Sequence, residues 1–297
     1  MNNTNNITHF ERYIYPYLVI AMIFWGISWP SSKILTFYTD PFTLMFLKFF
    51  ISAIALIPIF LLLNDKRFFS AQVIKPLVVA TFFIILYNLF FFYGLKYGLA
   101  GLGGIVVTGS NPIFTFLIVA IIDKIDIPKR KKVALIIGLI GTAITLHIEN
   151  LNLKELVDGG NLFFLLASLS WSLVTIYSTN AKQHLNSLLF SIYLYAGSSV
   201  ITYILFIDNN SLIEIFTFEF LFWVNLFFVT IITTAISTTI YFKASNILGA
   251  SNASSFIFLV PIVAVLSSAI LLNEVPNITS LIGGTLLIFS VWLINKK

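Results

Sequence analysis

Ten apolar runs of 16 to 23 residues divide this chain, and they restrict its fold more than any other feature. They are Ile14 to Thr36, Pro41 to Leu63, Leu77 to Tyr93, Leu102 to Ile122, Val133 to Ile148, Leu162 to Tyr177, Leu188 to Ile207, Phe220 to Phe242, Ala253 to Leu272 and Ile278 to Ile294. About 20 apolar residues in a helix cover the ~30 Å hydrocarbon layer of a bilayer. Lipid supplies no hydrogen-bond partner, so a spanning segment is either a helix or a strand of a closed barrel, and uninterrupted runs lack the alternation of a barrel strand. The expected fold is an all-α integral membrane protein with ten transmembrane helices. The first run follows the polar stretch Met1 to Thr8 with no small-x-small cleavage site, and reads as a retained helix rather than a signal peptide.

Composition and charge agree with that setting. Hydrophobic residues make up 59% of the 297 and charged residues 10%, against about 25% charged in a soluble domain. The basic residues are scattered between apolar runs and form no face for nucleic acid. They are, however, sorted by side. Thirteen of the 17 Lys and Arg fall in alternate connections and at the termini, including Lys66, Arg67, Lys129, Arg130, Lys131, Lys132, Lys296 and Lys297, whereas the other side has only Lys33, Lys96 and Lys154. This bias predicts both termini in the cytoplasm and a multi-pass protein of the cell inner membrane.

The runs divide as five plus five, with the first repeat over 14–148 and the second over 162–294. An odd number per half makes the repeats inverted in topology. Each half holds a glycine-rich helix start followed eleven residues into an apolar run by proline: Ala100-Gly101-Leu102-Gly103-Gly104 leads to Pro112, and Gly249-Ala250-Ser251-Asn252-Ala253 leads to Pro261. A proline at 112 or 261 removes one backbone donor and frees the carbonyl four residues earlier, so both are expected as hinges beside a cavity. The alternative is a fixed structural bend.

Trp25-Gly26 followed by Lys33, Asp40-Pro41 at the second span, Ala100 leading to Pro112, Gly249-Ala250-Ser251 with Pro261 and Glu274, and then Gly283-Gly284 occur in an order and spacing that resemble the drug/metabolite transporter superfamily in its ten-helix, EamA-type form. The resemblance runs from Phe24 to Trp292. It implies a central cavity lined by the first, third, fourth, sixth, eighth and ninth helices, and a traffic of small organic metabolites, more often exported. The chain departs from the family in having Lys48 where Arg is usual, and Ile125, flanked by Asp123 and Asp126, where an acid is usual after the first proline.

Side chains at depth nominate the site. Lys48 lies seven residues into the second span, ~10 Å from its outer end. It reads either as a structural cation that snorkels or bonds helix-end carbonyls, or as a counter-charge for an anionic substrate. The amides of Asn88 and Asn111 have four hydrogen-bonding sites each to satisfy in a dry bundle. Trp25, Ser28, Tyr87, Thr108, Trp171, Thr175, Thr238 and Asn252 complete the expected substrate-binding set. For the hydroxyls, helix packing is the competing role, and for the tryptophans, an interfacial or lipid-facing position.

No Asp or Glu falls near the middle of a span, which argues against carboxylate-based antiport of cationic drugs and for a facilitator or exchanger. The absence of Cys removes thiolate metal ligands and a thiol nucleophile, and His9, His147 and His184 have no metal spacing. Gly98 to Gly104 has neither the preceding strand nor the Lys-Ser/Thr of a phosphate loop. No catalytic residue, metal or cofactor is expected, and no enzymatic role. The expected function is alternating-access transport of amino acids or related solutes through a cavity between the repeats. The alternative is a flippase for lipid-linked or amphipathic substrates. Its partners are then a small-molecule substrate and membrane lipid, with no nucleic acid, and ten spans enclose a pathway in a monomer or in each copy of a homodimer.

Overall fold

The computed structural model describes residues 14–63, 71–122, 124, 127–146, 159–181 and 185–295. His9, Arg12, Lys66, Arg67, Asp123, Asp126, His147, Lys154, Lys182, His184, Lys296, Lys297 and the 148 boundary of the first repeat lie outside the described residues.

Among the described residues the longer helical segments are, in chain order, α1 (Ile14–Thr36), α2 (Pro41–Leu63), α3 (Ala71–Tyr97), α4 (Ala100–Ile122), α5 (Lys129–Thr145), α6 (Asn161–Ala181), α7 (Ser187–Phe206), α8 (Phe220–Leu248), α9 (250–272) and α10 (Ile278–Asn295), with a short helix at Asn209–Glu214 before α8. Among the described residues, eight of them (α1 to α4 and α6 to α9) are long and apolar enough to cross a membrane. The helix α10 is apolar but shorter. The helix α5 spends its first turn on Lys129-Arg130-Lys131-Lys132, leaving ~20 Å of apolar helix at 1.5 Å per residue.

Local chemistry explains the breaks. At the start of α2 the Asp40 carboxylate accepts from the amides of Phe42 and Thr43 at 2.8 and 3.2 Å, with Pro41 in the first helical position, where its missing donor costs nothing. Asn186 caps α7 by accepting from the Leu189 amide at 2.7 Å. Between α8 and α9 the chain turns at Gly249 with φ +87°, a left-handed conformation that favours glycine.

Burial is inverted relative to a soluble protein. Leu61, Ile204, Phe220 and Ile270 point outward, while Ser32, Ser52, Thr175, Ser198 and Ser290 are buried. An apolar exterior around a hydroxyl-bearing interior suits lipid as the surrounding solvent. The chain is therefore a multi-pass membrane protein.

The main packing partners are α1 with α9 and α8, α2 with α7 and α8, α3 with α6 and α7, α4 with α6 and α9, and α5 with α10. Adding or subtracting five converts this set of pairs into itself: α1 on α9 corresponds to α6 on α4, and α1 on α8 to α6 on α3. Close approaches use glycine. A Cβ on Gly26 would collide with Val263 of α9, and one on Gly141 would lie 2.8 Å from the Gly283 carbonyl of α10.

Candidate functional site

The middle of α8, Phe228–Ser237, is a π-helix, and its wide turns present carbonyls to neighbouring helices. The Thr230 carbonyl accepts from Ser52 of α2 at 2.8 Å, Thr233 from the Trp25 indole of α1 at 3.3 Å, and Thr234 from the Tyr195 hydroxyl of α7 at 3.1 Å. Three helices thus donate side-chain hydrogen bonds to one stretch of backbone, and π segments recur at functional sites for this reason. Thr233 and Thr234 from the same stretch, and Thr238 just after it, line a central cavity.

That cavity also takes Trp25, Ser28 and Trp29 from α1, Lys48 from α2, Tyr87 and Asn88 from α3, Thr108 and Asn111 from α4, and Trp171 from α6. It measures about 50 Å³, room for a few waters at ~10–15 Å³ each and too little for a metabolite in this conformation.

The two prolines border it in matching fashion. Thr108 and Asn111 stand four and one residues before Pro112, and Ile257 and Val260 stand four and one residues before Pro261; all four line the cavity. The offset of four is the carbonyl that a helical proline leaves without its donor. In α9 the turn before Leu259 tightens to a 3-10 helix over 255–258. The chemistry of the two sides differs, polar in α4 and apolar in α9.

On the polar side, the Asn111 amide donates to Ser172 at 2.9 Å, Ser172 donates to the Asn111 carbonyl at 3.2 Å, and Ser168 donates to the Val107 carbonyl at 2.9 Å, locking α4 to α6. Asn88 donates to Ile84 of its own helix at 2.9 Å. Each side chain is 1% exposed, and each Oδ1 has no partner among the described residues. A buried acceptor of this kind is costly until something donates to it.

Lys48 is 8% exposed. Its Nζ lies over the rings of Phe91, Phe92 and Tyr87 at 4.8, 5.5 and 5.9 Å. Among the described residues it has no hydrogen-bond or ion-pair partner, so the carbonyl-bonded form of the structural reading is not what the structure contains. Cation-π contacts hold it instead.

Not every expected residue reaches the cavity. Thr175 is fully buried behind it, hydrogen-bonded to the Trp171 carbonyl at 3.0 Å and to the Tyr241 hydroxyl at 3.1 Å. Asn252 is exposed at the start of α9, its amide donating to the Leu248 carbonyl at 2.8 Å. Conversely, Tyr195 lines the cavity from α7, a helix the family resemblance does not place there. Only its aromatic-plus-hydroxyl chemistry at mid-span signals it. Phe91 and Ile84 have no signal beyond lying on the same face as Tyr87 and Asn88.

Two sets of contacts join the helices that line the cavity. Trp25 packs on Trp171 edge-on at 5.3 Å and on Tyr241 at 4.9 Å, and Tyr87 packs on Trp171 at 4.8 Å. At the C-terminal end of α1, Lys33 pairs with Glu274 at 2.6 Å and donates to the Gly98 carbonyl at 2.7 Å, while Glu274 accepts from the Ala100 amide at 2.7 Å. The carboxylate thus sits on the N-terminus of α4, where both the free amide and the helix dipole favour it.

Comparison with known proteins extends this picture. The EamA-like transporter family matches residues 12–147 and again 158–296. The uncharacterized transporter YoaV of Bacillus subtilis is 23% identical over 93% of this chain and 94% of its own length. The S-adenosylmethionine uptake transporter of Rickettsia bellii is 24% identical, covering 86% of this chain and 84% of itself. A crystal structure with 16% sequence identity superposes with TM-score 0.65 over 94% of this chain and 96% of that one, which establishes likeness of fold.

Proposed function

This chain belongs to the EamA-like transporter family, and we propose that it moves small organic metabolites, amino acids or related solutes, across the cell inner membrane by alternating access, in the export direction that the family resemblance implies. The observation that carries the reading is a polar and aromatic cavity among the apolar helices, bordered by two proline-interrupted helices. The proposed architecture is ten transmembrane helices in two inverted repeats, 14–148 and 162–294, with both termini cytoplasmic. The symmetric set of helix pairs supports the repeats, and the charge bias supports the orientation.

In this reading Trp25, Ser28, Lys48, Tyr87, Asn88, Thr108, Asn111, Trp171 and Thr238 contact substrate, with Pro112 and Pro261 as hinges. Thr175 supports Trp171 from behind, and Asn252 marks the α8 to α9 turn. Because each half of the sequence packs chiefly on the other, the bodies that rock are mixed: α3, α4 and α6 against α1, α8 and α9. The outer clamp of Lys33 and Glu274 crosses between them through Gly98 and Ala100, and the contact of Trp25 with Trp171 crosses at mid-helix.

The test uses liposomes and the absence of native Cys. Purified protein should show saturable counterflow of a labelled metabolite. With Lys33→Cys and Ala100→Cys bridged by a short bis-maleimide, that flux should stop, while either single variant treated the same way keeps it. Undiminished flux in the bridged protein would end the rocking mechanism.

A further inference from the structure

We infer that the substrate is a net anion, a small organic acid whose carboxylate pairs with Lys48 and whose neutral hydroxyl or amide donors satisfy the Asn88 and Asn111 oxygens. This rests on the transport reading and narrows its substrates from amino acids and related solutes to the anionic ones among them. The argument begins with a charge that has no counter-charge. Lys48 is nine-tenths buried and lines the cavity, yet among the described residues no Asp or Glu lines it, and the Glu274 carboxylate is taken up by Lys33. Three aromatic faces steady the ammonium, but ring quadrupoles offset only part of the desolvation of a buried cation. A carboxylate entering the cavity supplies the missing anion.

The remaining polar groups separate an anion from a zwitterion or a cation. A substrate ammonium would meet Lys48 with no carboxylate to balance it, and like charges at close quarters repel strongly where water is scarce. The orphaned groups of Asn88 and Asn111 are acceptors, which neutral donors fill without adding charge. The Trp25 and Trp171 rings suit the apolar body. Lysine rather than arginine fits a single point contact in place of a planar fork. The cavity therefore differs in kind from one that takes a cationic solute.

The experiment is counterflow in proteoliposomes with two charge-matched series. One has an aromatic body: 3-phenyllactate, phenylalanine and phenethylamine. The other has an aliphatic body: 2-hydroxyisocaproate, leucine and isoamylamine. The hydroxy acid should be carried in preference to its amino acid and amine in at least one series. Lys48→Gln should cut that flux at least about tenfold while Lys48→Arg stays within about threefold of wild type. Preferred flux of an amine or amino acid in the wild type overturns the charge assignment and leaves the carrier reading standing. So does a Lys48→Gln protein that carries the acid normally. No counterflow of any of the six overturns the carrier reading for solutes of this size, and the assignment with it. The wild-type preference needs no variant, so a Lys48→Gln chain that fails to fold leaves the outcome decisive.

Discussion

Asn111 does two things with one amide, and separating them shows how residues in this cavity divide between structure and binding. Its nitrogen ties α4 to Ser172 of α6 while its oxygen is left buried without a partner. An interhelical hydrogen bond in a membrane protein is worth about 0.6 kcal/mol, and replacing an orphaned acceptor by an apolar group returns some of its desolvation cost. Asn111→Leu is therefore expected to shift the unfolding temperature of the detergent-solubilised protein little, yet to lower counterflow severalfold. Ser172→Ala, which breaks the same bond without touching the cavity, should leave flux near wild type. Equal flux losses in both variants would make Asn111 a packing residue. The amides of Asn88 and Asn111 were legible in the sequence because four hydrogen-bonding sites at span depth are hard to satisfy. Thr175 was not, because a hydroxyl at the right depth looks the same whether it faces the cavity or the back of Trp171.

Helix pairs set how tightly the cavity is held. Gly26 lets α1 lie against Val263 of α9, so Gly26→Ala inserts a methyl group where no space exists and should destabilise the fold by about 1–3 kcal/mol. The atom met first is the Val263 Cβ, which alanine keeps, so Val263→Ala should recover little of that loss and Val263→Gly more of it in double-mutant cycles read by thermal unfolding; strict additivity in both would mean the two do not share the contact. The clamp works at the same scale. Glu274→Gln keeps a group that accepts from the Ala100 amide but discards the charge that pairs with Lys33, so the closed arrangement on that side should be less populated. In a Thr108→Cys background, otherwise free of Cys, a membrane-impermeant thiol reagent added outside should label the cavity several times faster with Glu274→Gln than without. Unchanged labelling would show that the Lys33 to Glu274 pair does not hold that side closed. Helix ends at Asp40-Pro41 and Gly249 could be read from capping and turn chemistry. The π-helix of α8 could not, since Thr233, Thr234, Ser237 and Thr238 suit an ordinary helix, and only the donors arriving from Trp25, Ser52 and Tyr195 call for wider turns.

At the scale of the molecule, the pattern of apolar runs makes the elements legible as membrane helices, but not which of them touch. Nothing in one chain's periodicity says that α1 lies on α9 and α8, or that α3 lies on α6, because lipid and protein neighbours ask for the same apolar side chains. The pairing has a consequence for folding. In a chain whose halves each formed a compact bundle, either half would fold alone and the two would dock afterwards. Here α2 lies on α7 and α5 on α10, while the Lys33 to Glu274 pair and the Trp25 to Thr233 hydrogen bond also join the halves. Polar groups of each half also bond to the other, as Ser52 does to Thr230 and Ser168 to Val107. Residues 1–155 and 156–297 expressed separately should therefore be degraded or aggregate, and expressed together should assemble into a complex that elutes as one species with the unfolding temperature near that of the intact chain. The cut falls between Thr145 and Asn161, so it divides none of α1 to α10. A first half that stays folded and monodisperse on its own would mean that the halves are independent bodies, and the mixed bundles of α3, α4 and α6 against α1, α8 and α9 could not be the units that rock.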